Sequence, residues 1–167
     1  AAIRDNNPVI YFEHKHLYRR IKEDVPDEDY IVPLGVADIK RKGSDLTIVT
    51  YGAMVHASLD VAERLSKEGA ECEVIDLRSL CPLDRNTFLE SVRKTSRALV
   101  VHEAQLTGGF GGEVAAIIAQ DAFDVLDAPV TRVAALDVPV PFSAPLEDVM
   151  LPNPEKIYNA ACKVLGY

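Results

Sequence analysis

The feature that most constrains this chain is the run LTIVTYG at residues 46–52, which is apolar and β-branched almost throughout and ends in Gly52. A strand with one wet face alternates polar and apolar residues. This one does not, so both its faces must be covered. An amphipathic helix pattern follows. Val55, Leu59, Ala62 and Leu65 fall on one face, His56, Asp60, Glu63 and Lys67 on the other, and Gly69 suits the C-terminal stop. A doubly buried strand feeding such a helix predicts a parallel sheet with helices packed over it.

The rest of the chain repeats the pattern. ECEVIDLRSL (71–80) reads as a second strand, and CPLDRNTFLESVRKT (81–95) as a turn, an Asp84 cap and a helix burying Phe88, Leu89 and Val92. ALVVHE (98–103) is a third strand. The glycine-rich LTGGFGG then leads into a helix with Val114, Ile117 and Ile118 inward, and VTRVAAL (130–136) is a fourth strand. In NPEKIYNAACKVLGY, Asn153 and Pro154 sit at cap and first-turn positions, and Ile157, Ala161, Val164 and Leu165 make one stripe. Four strand–helix units imply right-handed crossovers and an α/β, three-layer, mainly parallel sheet with helices on both faces, over residues 33–167.

Residues 1–32 do not fit that alternation. PVIYFE (8–13) reads as a strand with no local partner, and RRIKEDVPDEDYIVPLG (19–35) as a charged, proline-punctuated linker. The expectation is that PVIYFE belongs to something other than this domain, its proper neighbours lying outside the given chain.

Charge narrows the function classes. Lys and Arg total 18 against 26 Asp and Glu, a net charge of −8, which disfavours nucleic-acid binding and favours a basic partner surface. No apolar run reaches the roughly 20 residues of a membrane span, and AAIRDNN lacks the order of a signal peptide, so a soluble protein is expected. Cys72, Cys81 and Cys162 match neither a CxxC pair nor a zinc pattern, and their apolar neighbours predict packing roles in a reducing compartment.

Three segments invite a chemical reading. HEAQLTGGFGGEVAAIIAQ (102–120) has the strand, glycine turn and helix start of a phosphate cradle. It is neither GxGxxG nor GxxxxGK[ST], its loop holds no Lys or Arg, and Glu103 and Glu113 stand where an anion would approach. Close packing or a partner's approach accounts better for the glycines. His14 and His16 would share a face of a strand but lack further ligands nearby. His102 with Glu103 ends a strand where α/β sheets place ligands, a weak signal in a lone dipeptide. No GxSxG elbow, cysteine–histidine pair or isolated carboxylate pair is present, so the residues alone define an α/β domain without a complete active site.

Taken in order, AIRDNNPVIYFEHKHLYR, VPLGVADIKRKGSDLTIVTYGAMV, ECEVIDLRSLCPLD, VVHEAQLTGGFGGE and APVTRVAALDVPVPF resemble the C-terminal half of the beta subunits of thiamine-diphosphate-dependent 2-oxo-acid dehydrogenases, the decarboxylating components of the pyruvate and branched-chain complexes. The resemblance spans essentially the whole chain and implies a transketolase C-terminal-like domain preceded by the last strand of the cofactor-side domain. It further implies that the catalytic glutamate and histidine lie in the preceding half, and that thiamine diphosphate and Mg are held by the whole enzyme with the alpha subunit. No catalytic or cofactor residue is therefore carried over, and this chain alone is expected to be inactive.

The same resemblance implies a potassium site using the Ala2 carbonyl, Asp5 and Asn7, all oxygen donors. Read locally, Asp5 and Asn7 also suit a turn before Pro8. It implies assembly with the alpha subunit and a second beta subunit, and docking of the acyltransferase's basic peripheral subunit-binding domain, with Asp137 and Tyr167 as docking candidates. The location implied is the bacterial cytoplasm, or the mitochondrial matrix in a eukaryote. HEAQLTGGFGGE leans toward the branched-chain or broad-substrate relatives. A single-chain transferase related to transketolase or deoxyxylulose-phosphate synthase, and a small phosphate-binding regulatory domain using LTGGFGG, are the competing readings.

Overall fold

A computed structural model describes all 167 residues. Its centre is a five-stranded sheet of β1 (Asp38–Arg41), β2 (Leu46–Thr50), β3 (Cys72–Asp76), β4 (Ala98–Gln105) and β5 (Thr131–Ala135). The spatial order is β1-β3-β2-β4-β5, parallel throughout except for β1, which runs antiparallel to β3. The central strand β2 is buried at every residue, as its unbroken apolar run requires.

The pleat sorts side chains into two cores. Leu46, Ile48, Val74, Leu99 and Val101 face α1 (Met54–Lys67) and the last helix, α5 (Pro154–Leu165). Val49, Ile75, Ala98 and Val100 face α2 (Arg85–Thr95) and α3 (Gly111–Asp121), where Phe88, Leu89, Val92, Val114, Ile117 and Ile118 are buried as the periodicity predicts. Helices thus cover both faces.

The caps are those read from the sequence. The Asp84 carboxylate accepts from the Thr87 backbone N–H at 3.2 Å, and Asn153 Oδ1 accepts from the Lys156 N–H at 2.9 Å. Gly69 ends α1 at φ +94°, a conformation that a Cβ would strain.

Two elements are additional to the predicted alternation. β1 is DIKR, three charges in four residues, a composition that suits an exposed sheet edge and hides its strand character. α4 (Ala144–Met150) sits inside a proline-rich stretch and buries only Met150. The predicted strand 71–80 is shorter, ending at Asp76, because Arg78 turns back at φ +53° with its guanidinium on the Val36 carbonyl.

PVIYFE takes no sheet partner in this chain. Residues 8–13 are extended, with Ile10, Tyr11 and Phe12 exposed, and no residue before Ala37 is buried. A lone extended segment has nothing to satisfy its backbone as a strand, so it stays unpaired. The cysteines depart from expectation: Cys72 is buried, its thiol pushed up to about 12 by burial, but Cys81 and Cys162 are exposed. Both lie at element boundaries or on an outer helix face, which their apolar sequence neighbours did not reveal.

Candidate functional site

The C-terminal end of β4, the loop 106–110 and the start of α3 form the most organised polar region. His102 is fully buried there, and neither ring nitrogen has a hydrogen-bond partner. The ring stacks on Tyr51, which follows β2, with centroids 6.4 Å apart and planes 5° from parallel. Phe110 meets Tyr51 edge-on.

Two of the loop's four glycines, Gly109 and Gly111, face that ring, and Gly109 also faces the Gln105 carbonyl. A Cβ on Gly109 would lie 2.6 Å from His102 Cε1, and one on Gly111 would overlap its Cδ2 and Nε2. Only residues without side chains let the backbone close over the imidazole. The space under the loop is therefore filled from inside by the imidazole, and residues 106–112 themselves carry no basic side chain. Burial lowers the His102 pKa, with the Arg132 guanidinium acting in the same direction, so the ring is held neutral.

The loop is fastened from outside as well. The Thr107 N–H and hydroxyl donate to the Asp137 carboxylate at 2.9 and 2.7 Å, and Arg132 Nη1 donates to the Leu106 carbonyl at 2.9 Å. These bonds lower the Asp137 pKa, the Thr107 backbone bond contributing most. A shallow cleft of about 300 Å³ lies alongside, lined by Leu106, Arg132, Ala135, Leu136 and Asp137. Asp137 thus has a structural task in addition to its exposed position.

The other predicted residues lie elsewhere. Tyr167 is exposed beyond the end of α5, and no hydrogen bond or ion pair joins it to Asp137. Ala2 lies in a 3-10 turn (Ala2–Arg4), and Asp5 Oδ1 accepts from both the backbone N–H and the side-chain amide of Asn7, at 2.8 and 3.0 Å. That is the turn-forming arrangement, and it lowers the Asp5 pKa. Asp5 and Asn7 are exposed and Ala2 is half-buried. The His14 and His16 rings meet edge-on with centroids 6.1 Å apart. His14 Nε2 lies 2.7 Å from Glu103 Oε2, tying the N-terminal segment to the end of β4.

A second polar cluster was not anticipated. Glu73 on β3 is buried, pairs with Lys94 of α2, and accepts from the Gly43 N–H at 3.3 Å. Beside it Thr47 shares 2.7 Å hydrogen bonds with Ser91 and Thr95. Glu73 and Thr47 sit inside apolar strand runs, where nothing in the sequence pairs them with α2.

Fold and site together define a helix-covered α/β domain whose glycine loop is packed by its own histidine. The profile described as "Transketolase, C-terminal domain" matches residues 35–157, and the chain belongs to that family. Along its whole length it is 51% identical to the pyruvate dehydrogenase E1 component subunit beta of Bacillus subtilis. It is 46% identical over 96% of its length to the 2-oxoisovalerate dehydrogenase subunit beta of the same organism, and 47% identical over its full length to a pyruvate dehydrogenase E1 component subunit beta from Staphylococcus epidermidis. The chain spans about half the length of these curated relatives, 51%, 49% and 51% in turn. Among solved structures, a split gene transketolase described as an inactive beta4 tetramer superposes with a TM-score of 0.72 at 29% identity, covering 86% of this chain and 46% of that one. A transketolase from Pichia stipitis shares the fold at a TM-score of 0.53 and 16% identity, with 78% of this chain and 18% of that one covered.

No helix is long and apolar enough to cross a membrane.

Proposed function

We propose that this chain is the C-terminal assembly and docking domain of the beta subunit of a 2-oxo-acid dehydrogenase. The whole enzyme would decarboxylate pyruvate or a branched-chain 2-oxo acid on thiamine diphosphate and pass the acyl group to a lipoyl arm. The observation that carries the reading is the 51% identity to a pyruvate dehydrogenase beta subunit, sustained through all 167 residues, including the N-terminal segment outside the sheet. Residues 1–32 then belong to the end of the cofactor-side domain, and residues 33–167 are the family domain.

The surface supports an assembly role. Val138, Val140, Phe142, Leu146 and Val149 of the β5–α4 connection and α4 are each exposed, as are Ile10, Tyr11 and Phe12 near the N-terminus. That many large apolar side chains left exposed suit burial against partners, here the alpha subunit and a second beta subunit. The net charge of −8 suits the basic peripheral subunit-binding domain of an acyltransferase, with Asp137 and Tyr167 as contacts. Thiamine diphosphate and its Mg would be held by the whole enzyme with the alpha subunit, as the resemblance to the beta subunits implies. A potassium ion at Ala2, Asp5 and Asn7 would need further ligands from the preceding domain.

A second reading, part of a split transketolase, is favoured by the 29% identity to that solved chain. The two are separated by assaying the complete beta polypeptide with its alpha subunit. Oxidation of pyruvate or 3-methyl-2-oxobutanoate with an artificial electron acceptor is the expected activity. Ketol transfer between sugar phosphates without 2-oxo-acid oxidation would overturn the reading.

A further inference from the structure

We propose that His102 is a proton-sensitive latch: its neutral ring holds the glycine-rich loop 106–112 closed, and protonation of the ring releases that loop. The inference does not depend on which reaction the whole enzyme performs.

The geometry begins with a fully buried imidazole whose two nitrogens both lack partners. Neutral, the ring behaves as a flat packing element between Tyr51 on one side and the backbone of Gly109 and Gly111 on the other. Protonated, it becomes a buried cation with two N–H donors, for which the Ala104 backbone gives some stabilisation that burial and Arg132 outweigh. The ring also abuts Gly111, the first residue of α3, an eleven-residue helix whose N-terminus carries positive dipole charge.

The charged and titratable groups on the packed elements do not rescue the cation. Tyr51, from the end of β2, is neutral, its own pKa raised by burial. Arg132 of β5 is a like charge and lowers the His102 pKa further. Glu103, the next residue of β4, is committed to His14, and Glu113 in the first turn of α3 makes no bond to the ring. The least costly response to protonation is to open what covers the ring. That cover is the loop, where Leu106, Thr107 and Gly108 are exposed, rather than the central strands.

The sign follows from linkage. The group is depressed in the closed state and ordinary, about 6.5, in the open one. Closure is therefore fully stabilised above about pH 6.5 and is lost as pH falls toward the lower native value. Each unit in that window costs about tenfold in the closing equilibrium, so pH 5.0 weakens it up to about 30-fold relative to pH 7.5.

The test is hydrogen exchange on the whole chain at pH 7.5 and 5.0, corrected for intrinsic rates. It reads the amides of Leu106, Thr107, Gly112 and Glu113, which are hydrogen-bonded in the closed loop, against amides of α5. The expected result is loss of loop protection at pH 5.0 of up to about 30-fold beyond any change in α5. His102→Phe should flatten that difference, and His14→Gln should leave it intact, excluding the neighbouring His14–Glu103 pair. Asp137 also fastens the loop, but its carboxyl lies below the ordinary range and stays ionised at pH 5.0. If His102→Phe does not fold, NMR titration of the wild-type imidazole decides. A pKa below 6.5 supports the latch, and a pKa at or above 6.5, or loop protection independent of pH, overturns it.

Discussion

Gly111→Ala is the substitution whose cost follows most directly from the packing around His102. The new Cβ would fall on the His102 ring at well under 3.0 Å, a separation that real Cβ atoms do not keep. The ring cannot yield easily, since it is fully buried, stacked on Tyr51, and anchored on a strand hydrogen-bonded on both sides. Overpacking of this kind costs about 1–3 kcal/mol, against which the better helix propensity of alanine returns at most about 1 kcal/mol. A net loss of about 1–2 kcal/mol is expected from urea denaturation followed by far-UV circular dichroism, provided the slope m is unchanged. The mechanism is checked by a double-mutant cycle. In a His102→Ala background the obstacle is gone, and Gly111→Ala should then cost about zero, a coupling of about 1–2 kcal/mol. Gly112→Ala is the control: its Cβ would meet only the end of the flexible Arg132 side chain at 3.3 Å, and it should change stability by less than about 0.5 kcal/mol. Equal costs for Gly111→Ala in both backgrounds would refute the claim that the glycine exists to admit the ring.

Lys94→Met should destabilise by about 2 kcal/mol in the same assay, by leaving the Glu73 carboxylate buried without its partner, and adding Glu73→Gln should recover most of the loss. Asp84→Ala removes the α2 cap and the acceptor of the Ala37 N–H, and should cost about 1–2 kcal/mol at pH 7. Burial opposes the ionised Asp84 but is outweighed by bonds from Thr87 and Ala37, so its carboxyl lies below the ordinary range. Its contribution is complete above about pH 4 and lost as pH falls through the native value, so the Asp84→Ala penalty should shrink at pH 2.5, as read by thermal melts. An aromatic disulfide reagent at pH 8 should titrate Cys81 and Cys162 in the folded chain, and Cys72 only after denaturation, because its thiol is buried and stays protonated up to about pH 12.

The architecture was legible wherever local pattern and tertiary environment agree. LTIVTYG announced a doubly covered strand, and the stripes from Val55 and Ile157 announced the helices that cover it. Asp84 and Asn153 were readable as caps because capping is local chemistry, set by a side chain and a backbone N–H three residues on. β1 was not, because an edge strand with charged residues carries no burial signal, and α4 was hidden by the prolines around it.

The candidate site was less legible, for a physical reason. His102 beside Glu103 reads as a ligand-facing pair at a strand end, yet the pleat sends them to opposite faces. One is sealed under Gly109 and Gly111, and the other is free to meet His14. The glycines did carry a signal, since a loop with GGFGG and no basic residue asks for close packing rather than an anion. What they pack against lies seven or more residues away, and only the folded chain identifies it.

The measurement that bears most directly on the assembly and docking role is a calorimetric titration of this chain with the acyltransferase's peripheral subunit-binding domain, at low and at high salt. The expected result is saturable binding that weakens as salt is raised, since attraction between a chain of net charge −8 and a basic domain is screened. Absence of binding at both salt concentrations, with the chain shown to be folded, would contradict a docking role for this domain.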